Sequence, residues 1–260
     1  MKESHTRKDM VLAIDIGNTH VSMAMMRGNK SFGVRFVSSQ LSATRLKKDV
    51  RLEITRLERQ KFFYSRVLIC SVVPMLTSIV CAVVKQTGAS VSVVGQDVLV
   101  PIRNSYHVPG QVGMDRLVIS YAAKYFYGCP CAVIDFGTAL TVDIISRQGA
   151  YEGGLIVPGL RLAADSLAEH TALLPRIGDF TVPRAIIGRD THNSIMIGLV
   201  WGYRSMIEGL IRRLRKRLRS DDLKIIATGG HADLLQYQQS PVDTVDKNLI
   251  FKGLSLLSRK

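Results

Sequence analysis

Two short stretches of this chain carry the same arrangement of residues. Val11-Leu12-Ala13-Ile14-Asp15-Ile16-Gly17-Asn18-Thr19 and Ala132-Val133-Ile134-Asp135-Phe136-Gly137-Thr138-Ala139 each run from apolar residues into an aspartate, an apolar residue, a glycine and small polar residues. The two aspartates lie close to half a chain apart. A carboxylate offers a hard cation an oxygen ligand, and backbone N–H groups at a glycine turn can reach phosphate oxygens because no side chain intervenes. The pattern therefore suits phosphate and metal-ion handling. One Asp-Gly turn after a buried strand would be commonplace. Its repetition points to two related lobes, each opening with a strand that delivers a carboxylate to a turn.

Two further segments extend the chemistry: Gly113-Met114-Asp115-Arg116 and Thr228-Gly229-Gly230. Phosphoryl transfer needs a glycine turn with hydroxyls for the phosphates, a carboxylate for magnesium, a base for the acceptor's proton and a nucleoside pocket. Asp115 and Arg116 open a predicted helix, where backbone N–H groups and a guanidinium favour an anionic ligand. Asp115 could accept a hydroxyl proton; an aspartate at a helix start is equally explained by the helix dipole.

The elements that must position these residues follow from periodicity. Residues 10–26 read as strand, tight turn and strand (Val21–Met25), with a third strand at Phe32–Val37. Leu41–Gln60 and Met75–Thr87 read as helices around a buried strand at Arg66–Ser71, followed by a strand at Ala89–Val94. Val112–Gly128 reads as a helix. The second half repeats the theme: strands at Ala132–Asp135, Thr141–Ser146 and Tyr151–Val157, a helix from Pro158-Gly159 to about Leu173, a mostly helical Asp190–Leu218, a strand at Lys224–Ala227 and a helix from about His231. Three strands in hairpins, then alternating helices and strands, done twice, is an α/β protein with mixed sheets. The expected division is 10–125 and 126–260, with a cleft between the lobes.

Composition narrows the classes. The hydrophobic share of 47% is ample for a core. Apolar runs fall short of the roughly 18 residues that span a bilayer, and the polar Met1–Asp9 stretch, read as a frayed tail, lacks a signal-peptide core. Cys70, Cys81, Cys129 and Cys131 show no metal-finger or redox-pair spacing, so reduced cysteines and a cytoplasmic location are expected. The net charge is +14. Much of it falls on one amphipathic helix, Tyr203–Arg219, whose polar side holds Arg212, Arg213, Arg215, Lys216, Arg217 and Arg219. The interleaved aromatics of a single-strand binder are missing. The charge reads as a solvated face, with no membrane or nucleic-acid partner expected.

Taken together the motifs resemble type III pantothenate kinases, the bacterial family related to the Bvg accessory factor, in the superfamily of acetate kinase, sugar kinases, heat-shock chaperone ATPases and actin. The matching residues run in family order from about Val11 to Leu257. They include Asp15 to Thr19, Tyr106 with Pro109, Gly113 to Arg116, Asp135 to Ala139, Tyr151 to Gly154, Pro158 to Leu160, Gly188 to Thr191, Thr228 to Gly230 and Gly253-Leu254. The resemblance implies two actin-like, ribonuclease H-like lobes and ATP-dependent phosphorylation of pantothenate, the first step toward coenzyme A. It implies an ATP phosphate loop at Asp15, Ile16, Gly17, Asn18, Thr19, His20, Val21 and Ser22, with Asp15 near magnesium and Thr138 touching ATP. Asp115 is implied as the general base. Tyr106, Gly113, Met114, Asp115 and Arg116 would hold pantothenate, with Thr191 at its pocket. Asp135 would bind a monovalent cation, potassium or ammonium, and the protein would be a homodimer.

Two positions depart from the family's usual pattern. Met114 stands where alanine is usual, and Ile119 where an asparagine commonly follows the Asp-Arg pair; either could reshape the substrate pocket. The same motifs are compatible with a catalytically degenerate regulatory paralogue, or with a related kinase for another small hydroxyl acceptor. Retention of Asp15, Asp115 and Asp135 together favours the active pantothenate kinase.

Overall fold

A computed structural model describes residues 10–60 and 63–258; the Met1–Asp9 tail lies outside them. The chain divides into two compact units. One takes in the chain up to Tyr125 together with the stretch from Asn248 onward, and the other is Phe126–Lys247.

The first unit is built on β1 (Met10–Ile16), β2 (His20–Arg27), β3 (Lys30–Ser38), α1 (Ala43–Arg59), β4 (Tyr64–Ser71), α2 (Pro74–Val84), β5 (Ser90–Val93) and α3 (Met114–Tyr127). Strand order is β3-β2-β1-β4-β5. β1 pairs antiparallel with β2 and parallel with β4. Side chains alternate across a strand, and both faces of β1 are buried. Leu12, Ile14 and Ile16 pack with Leu46, Val50, Ile54 and Leu57 of α1 and with Val80, Val83 and Val84 of α2. Val11 and Ala13 pack with Val118 of α3 and with Phe251, Leu254 and Leu257 near the C-terminus. Double burial explains why β1 reads as an unbroken apolar run until Asp15. Each large aliphatic side chain so buried contributes about 1.5–3 kcal/mol.

The second unit repeats the plan with β6 (Cys131–Phe136), β7 (Ala139–Ile145), β8 (Tyr151–Pro158), α4 (Leu160–Glu169), α5 (Thr191–Leu218), β9 (Lys224–Thr228) and β10 (Thr244–Val245). Its order, β8-β7-β6-β9-β10, matches the first sheet strand for strand. α6 (Leu249–Leu257) then returns to the first unit.

Four differences from the sequence reading have local causes. α4 stops at Glu169 rather than near Leu173, because Leu174 precedes Pro175 and is pushed out of the helical region. The Thr171 hydroxyl also binds the Leu167 carbonyl at 2.7 Å. The helix expected from His231 is only a 3-10 turn, Ala232–Leu235. There Arg204 Nε donates to the Leu234 carbonyl at 2.7 Å and Ser240 Oγ to that of Leu235 at 2.5 Å, capturing acceptors a longer helix would need. α6 was not anticipated: it is nine residues long and interrupted by Gly253. Finally, the stretch from Asn248, assigned by sequence to the second lobe, packs with the first.

Gly253 marks where α6 meets α3. A Cβ there would lie 2.6 Å from Val118 Cγ1 and 2.8 Å from the Val118 carbonyl oxygen. Gly253→Ala should therefore destabilise the protein by about 1–3 kcal/mol through overpacking. An unchanged urea midpoint in the variant would show that the contact relaxes freely.

Candidate active site

Asp15 sits at the C-terminal end of β1, opposite Ser22 of β2 and Cys70 of β4. Ser22 Oγ lies 3.5 Å from Asp15 Oδ2 and from its carbonyl oxygen, at the long limit of a hydrogen bond. The turn that follows closes with Gly17 N donating to the His20 carbonyl at 3.0 Å. Ser39 anchors its tip twice: Oγ donates to the Gly17 carbonyl at 2.7 Å, and the backbone N to that of Thr19 at 2.9 Å.

The second unit carries the same geometry. Asp135 is next to last in β6, opposite Thr141 of β7 and Thr228 of β9. The turn closes with Gly137 N donating to the Ala139 carbonyl at 3.1 Å. Gly159 N donates to the Thr138 carbonyl at 2.9 Å, and a Cβ on Gly159 would overlap the Gly137 and Thr138 carbonyls.

The glycines fall into two kinds. Gly17 and Gly137 have no left-handed backbone, and an added Cβ would make ordinary contacts of 3.4 Å to the His20 carbonyl and 3.5 Å to Asp135 Oδ1. The surrounding protein does not demand glycine at either turn. Leaving that space open suits the close approach of a phosphate. Gly113 and Gly229 are the opposite case. A Cβ on Gly113 would overlap Asp115 Oδ1, and one on Gly229, whose φ is +92°, would overlap Asp135 Oδ1. These two glycines make room for carboxylates.

Asp115 lies in the first turn of α3, and its Oδ1 accepts from Arg116 N at 2.8 Å. Burial raises its pKa above the ordinary carboxylate value, and the Arg116 backbone bond and charge offset only part of that. A carboxyl so raised is a better proton acceptor than a solvated one. The Cys70 thiol is held well above its usual range by burial and by the charges of both Asp15 and Asp115. The two carboxylates thus converge on one protonated thiol, which the sequence did not suggest.

Tyr106 is half-buried on a loop stitched by Asn104, whose Oδ1 accepts from Tyr106 N at 3.0 Å and whose Nδ2 donates to the Pro109 carbonyl at 3.2 Å. That loop leads into Gly113. Arg116 is buried. Met114 lies against Gly95, whose added Cβ would stand 2.9 Å from its sulfur, and it lines a cavity of about 700 Å³ with Ser71, Thr77, Ser78 and Lys85. Ile119 is a core residue, 2% exposed, so its departure from the family pattern is absorbed by packing. Thr191 is exposed at the start of α5, where the Asp190 carboxylate caps the helix by accepting from Asn193 N at 2.8 Å. The expected site residues are thus divided. Asp15 to Ser22, Tyr106 and Gly113 to Arg116 belong to the first unit, and Asp135, Thr138 and Thr191 to the second.

Sequence reasoning passed over Asp143. It is fully buried on β7 and accepts from Tyr151 Oη at 2.8 Å and Thr141 Oγ1 at 3.0 Å. An aspartate in the middle of an apolar strand was its available signal. Among the described residues no group of three or more His, Cys, Asp or Glu could enclose a metal. A hard cation carried with substrate phosphates needs only one or two protein carboxylates, and Asp15 beside Ser22, like Asp135 flanked in register by Thr141 and Thr228, offers oxygen donors of that kind. No described helix is long and apolar enough to cross a membrane.

Known proteins match this chain over most of its length. The sequence pattern of the family described as type III pantothenate kinase matches residues 11–213. A type III pantothenate kinase of Agathobacter rectalis is 33% identical over 96% of this chain and 97% of its own length. Another, from Desulfosudis oleivorans, is 34% identical over 95% and 98%. Among solved structures, a Baf family transcriptional activator from Campylobacter jejuni shares the fold, with a TM-score of 0.59 at 20% identity, covering 95% of this chain and 97% of that one.

Removing the space that Gly113 provides should displace the Asp115 carboxylate. Gly113→Ala is expected to lower kcat by at least about tenfold, since misplacing a catalytic group by an ångström costs that much or more. Steady-state turnover checks it, and wild-type kcat in the variant would separate the glycine from the carboxylate's placement.

Proposed function

Since the chain belongs to the type III pantothenate kinase family and phosphorylates pantothenate with ATP to 4′-phosphopantothenate, we propose that Asp115 is the base that takes the acceptor's hydroxyl proton. The single observation that carries this reading is a half-buried carboxylate with a raised pKa, seated by Gly113 at the start of α3 and sharing the surroundings of Cys70 with Asp15. As the proton leaves, the hydroxyl oxygen attacks the γ-phosphorus in line and ADP departs. Positioning and electrostatics supply most of the rate, because the reaction asks little covalent chemistry of the protein.

Asp15 to Ser22 form the phosphate loop, where the open Gly17 turn lets backbone N–H groups face the transferring group. Thr138 touches ATP at the equivalent turn of the second unit. Tyr106, Gly113, Met114, Asp115 and Arg116 hold pantothenate, and Thr191 contributes to its pocket. Asp15 would hold magnesium and Asp135 a potassium or ammonium ion, each supplying positive charge at its own strand end. Free thiols at all four cysteines support a reducing, cytoplasmic setting.

A homodimer is supported by an apolar surface in the second unit. Residues 170–190 have no regular secondary structure and expose Leu173 (91%), Ile186 (68%) and Ile187 (74%) just before Thr191. Large apolar side chains left this exposed are the kind that association covers.

Asp115→Asn should abolish pantothenate-dependent ADP formation while ATP binding persists. In the wild type, kcat/KM should fall on the acid side with a midpoint above the ordinary carboxylate value, because the base must be ionised and burial raises its pKa. Retained turnover in Asp115→Asn would remove the assignment. Replacing Ile186 and Ile187 by Lys should yield a folded monomer in sedimentation velocity; a dimer of unchanged affinity would move the interface elsewhere.

A further inference from the structure

α1 carries a cluster of cations that lies outside the kinase site proposed above. Lys47, Lys48 and Arg51 line a cavity of about 350 Å³ whose other wall is Ala82, Val83 and Gln86 of α2. No carboxylate lines it. All three acids of α1 are engaged elsewhere: Asp49 with Arg45 at 2.8 Å, Glu53 with Arg35 and Arg56, and Glu58 with the Tyr64 hydroxyl. Among the described residues, none of the three cations is in an ion pair.

The ordinary explanation for basic residues on a helix is the negative end of its dipole. It serves for Arg215, Lys216 and Arg217 in the last turn of α5, and for Arg56 and Arg59 in the last turn of α1. It does not serve for Lys47, Lys48 and Arg51, which lie in the N-terminal half of α1. There the dipole gives cations no help, and Lys47 and Arg51, four residues apart, repel each other. Three like charges over a shared cavity are relieved by an anion of matching charge.

We infer that the groove between α1 and α2 binds a diphosphate-bearing anion, with Lys47, Lys48 and Arg51 on the phosphates. Three cations suit the charge of a diphosphate better than that of a single carboxylate, and the Arg51 fork suits phosphate oxygens. The site is separate from the phosphate loop at Gly17.

The test is calorimetric titration of the full-length protein with inorganic pyrophosphate, with and without a saturating non-hydrolysable ATP analogue. Wild type should bind pyrophosphate at physiological salt with or without the analogue. The variant Lys47→Gln/Lys48→Gln/Arg51→Gln should bind at least about tenfold more weakly. A charge-matched control, Arg212→Gln/Arg213→Gln/Arg217→Gln, should bind as wild type does. Loss of binding when the analogue is present would assign pyrophosphate to the ATP phosphate loop and overturn the proposal. So would equal affinity in the α1 variant, an equal loss in the α5 control, or no binding to wild type. Pantothenate-dependent turnover, measured separately on the same proteins, reports on the kinase reading and does not enter this result.

Discussion

Carboxylates are held here where backbone passes within contact distance of their oxygens, and that proximity constrains everything around them. A Cβ at Gly113 would occupy the place of Asp115 Oδ1, and a Cβ at Gly229 that of Asp135 Oδ1. Bringing a peptide so close does two things. It shields the carboxylate from water, which raises the pKa of Asp115. It also fixes the side chain against main chain, which moves less than side chains do. A base for a phosphoryl acceptor needs both properties, readiness to take a proton and a fixed position.

The sheets deliver two carboxylate positions, Asp15 and Asp135. In each unit the central strand is flanked by one antiparallel and one parallel neighbour, so its C-terminal end lies between a hairpin and a crossover connection. Asp15 and Asp135 are the half-buried, next-to-last residues of strands otherwise buried on both faces. Aliphatic burial of about 1.5–3 kcal/mol per side chain stabilises the strands, while exposed ion pairs such as Arg147 with Asp222 at 2.8 Å contribute at most about 1 kcal/mol. The core can therefore carry the cost of half-burying a carboxylate at each strand end.

Burial and charge also divide the cysteines and arginines by role. Cys70 stays protonated because it is buried, and because its charged neighbours are carboxylates, so it fills space beside Asp15 without reacting. Arg204 is buried deep in the second unit, stacked against Trp201 and Tyr237 with ring centroids 5.0 and 4.2 Å away, and it ties α5 to the turn after Gly230 through the Leu234 carbonyl. The exposed arginines at the end of α5 sit where the helix dipole favours them.

Local pattern determined much of this protein. The apolar runs ending in Asp15 and Asp135, the glycine turns beyond them and the helical spacing of Leu46, Val50, Ile54 and Leu57 are short-range signals, and each element formed close to where its pattern lies. Repetition of one motif in both halves made the doubled sheet legible, because strand order follows from the order of hairpins and crossovers. Tertiary structure alone decided the rest. The early end of α4 could be read from Pro175, yet the shortening after His231 depends on Arg204, which lies far away in the chain. α6 returns to the first unit because Gly253 lets it lie on Val118, a partner more than a hundred residues distant. That Asp15 and Asp115 share the surroundings of Cys70 depends on β1, β4 and α3 packing together. Sequence spacing carries no information about such encounters, since they are set by which surfaces bury each other and not by what is adjacent along the chain.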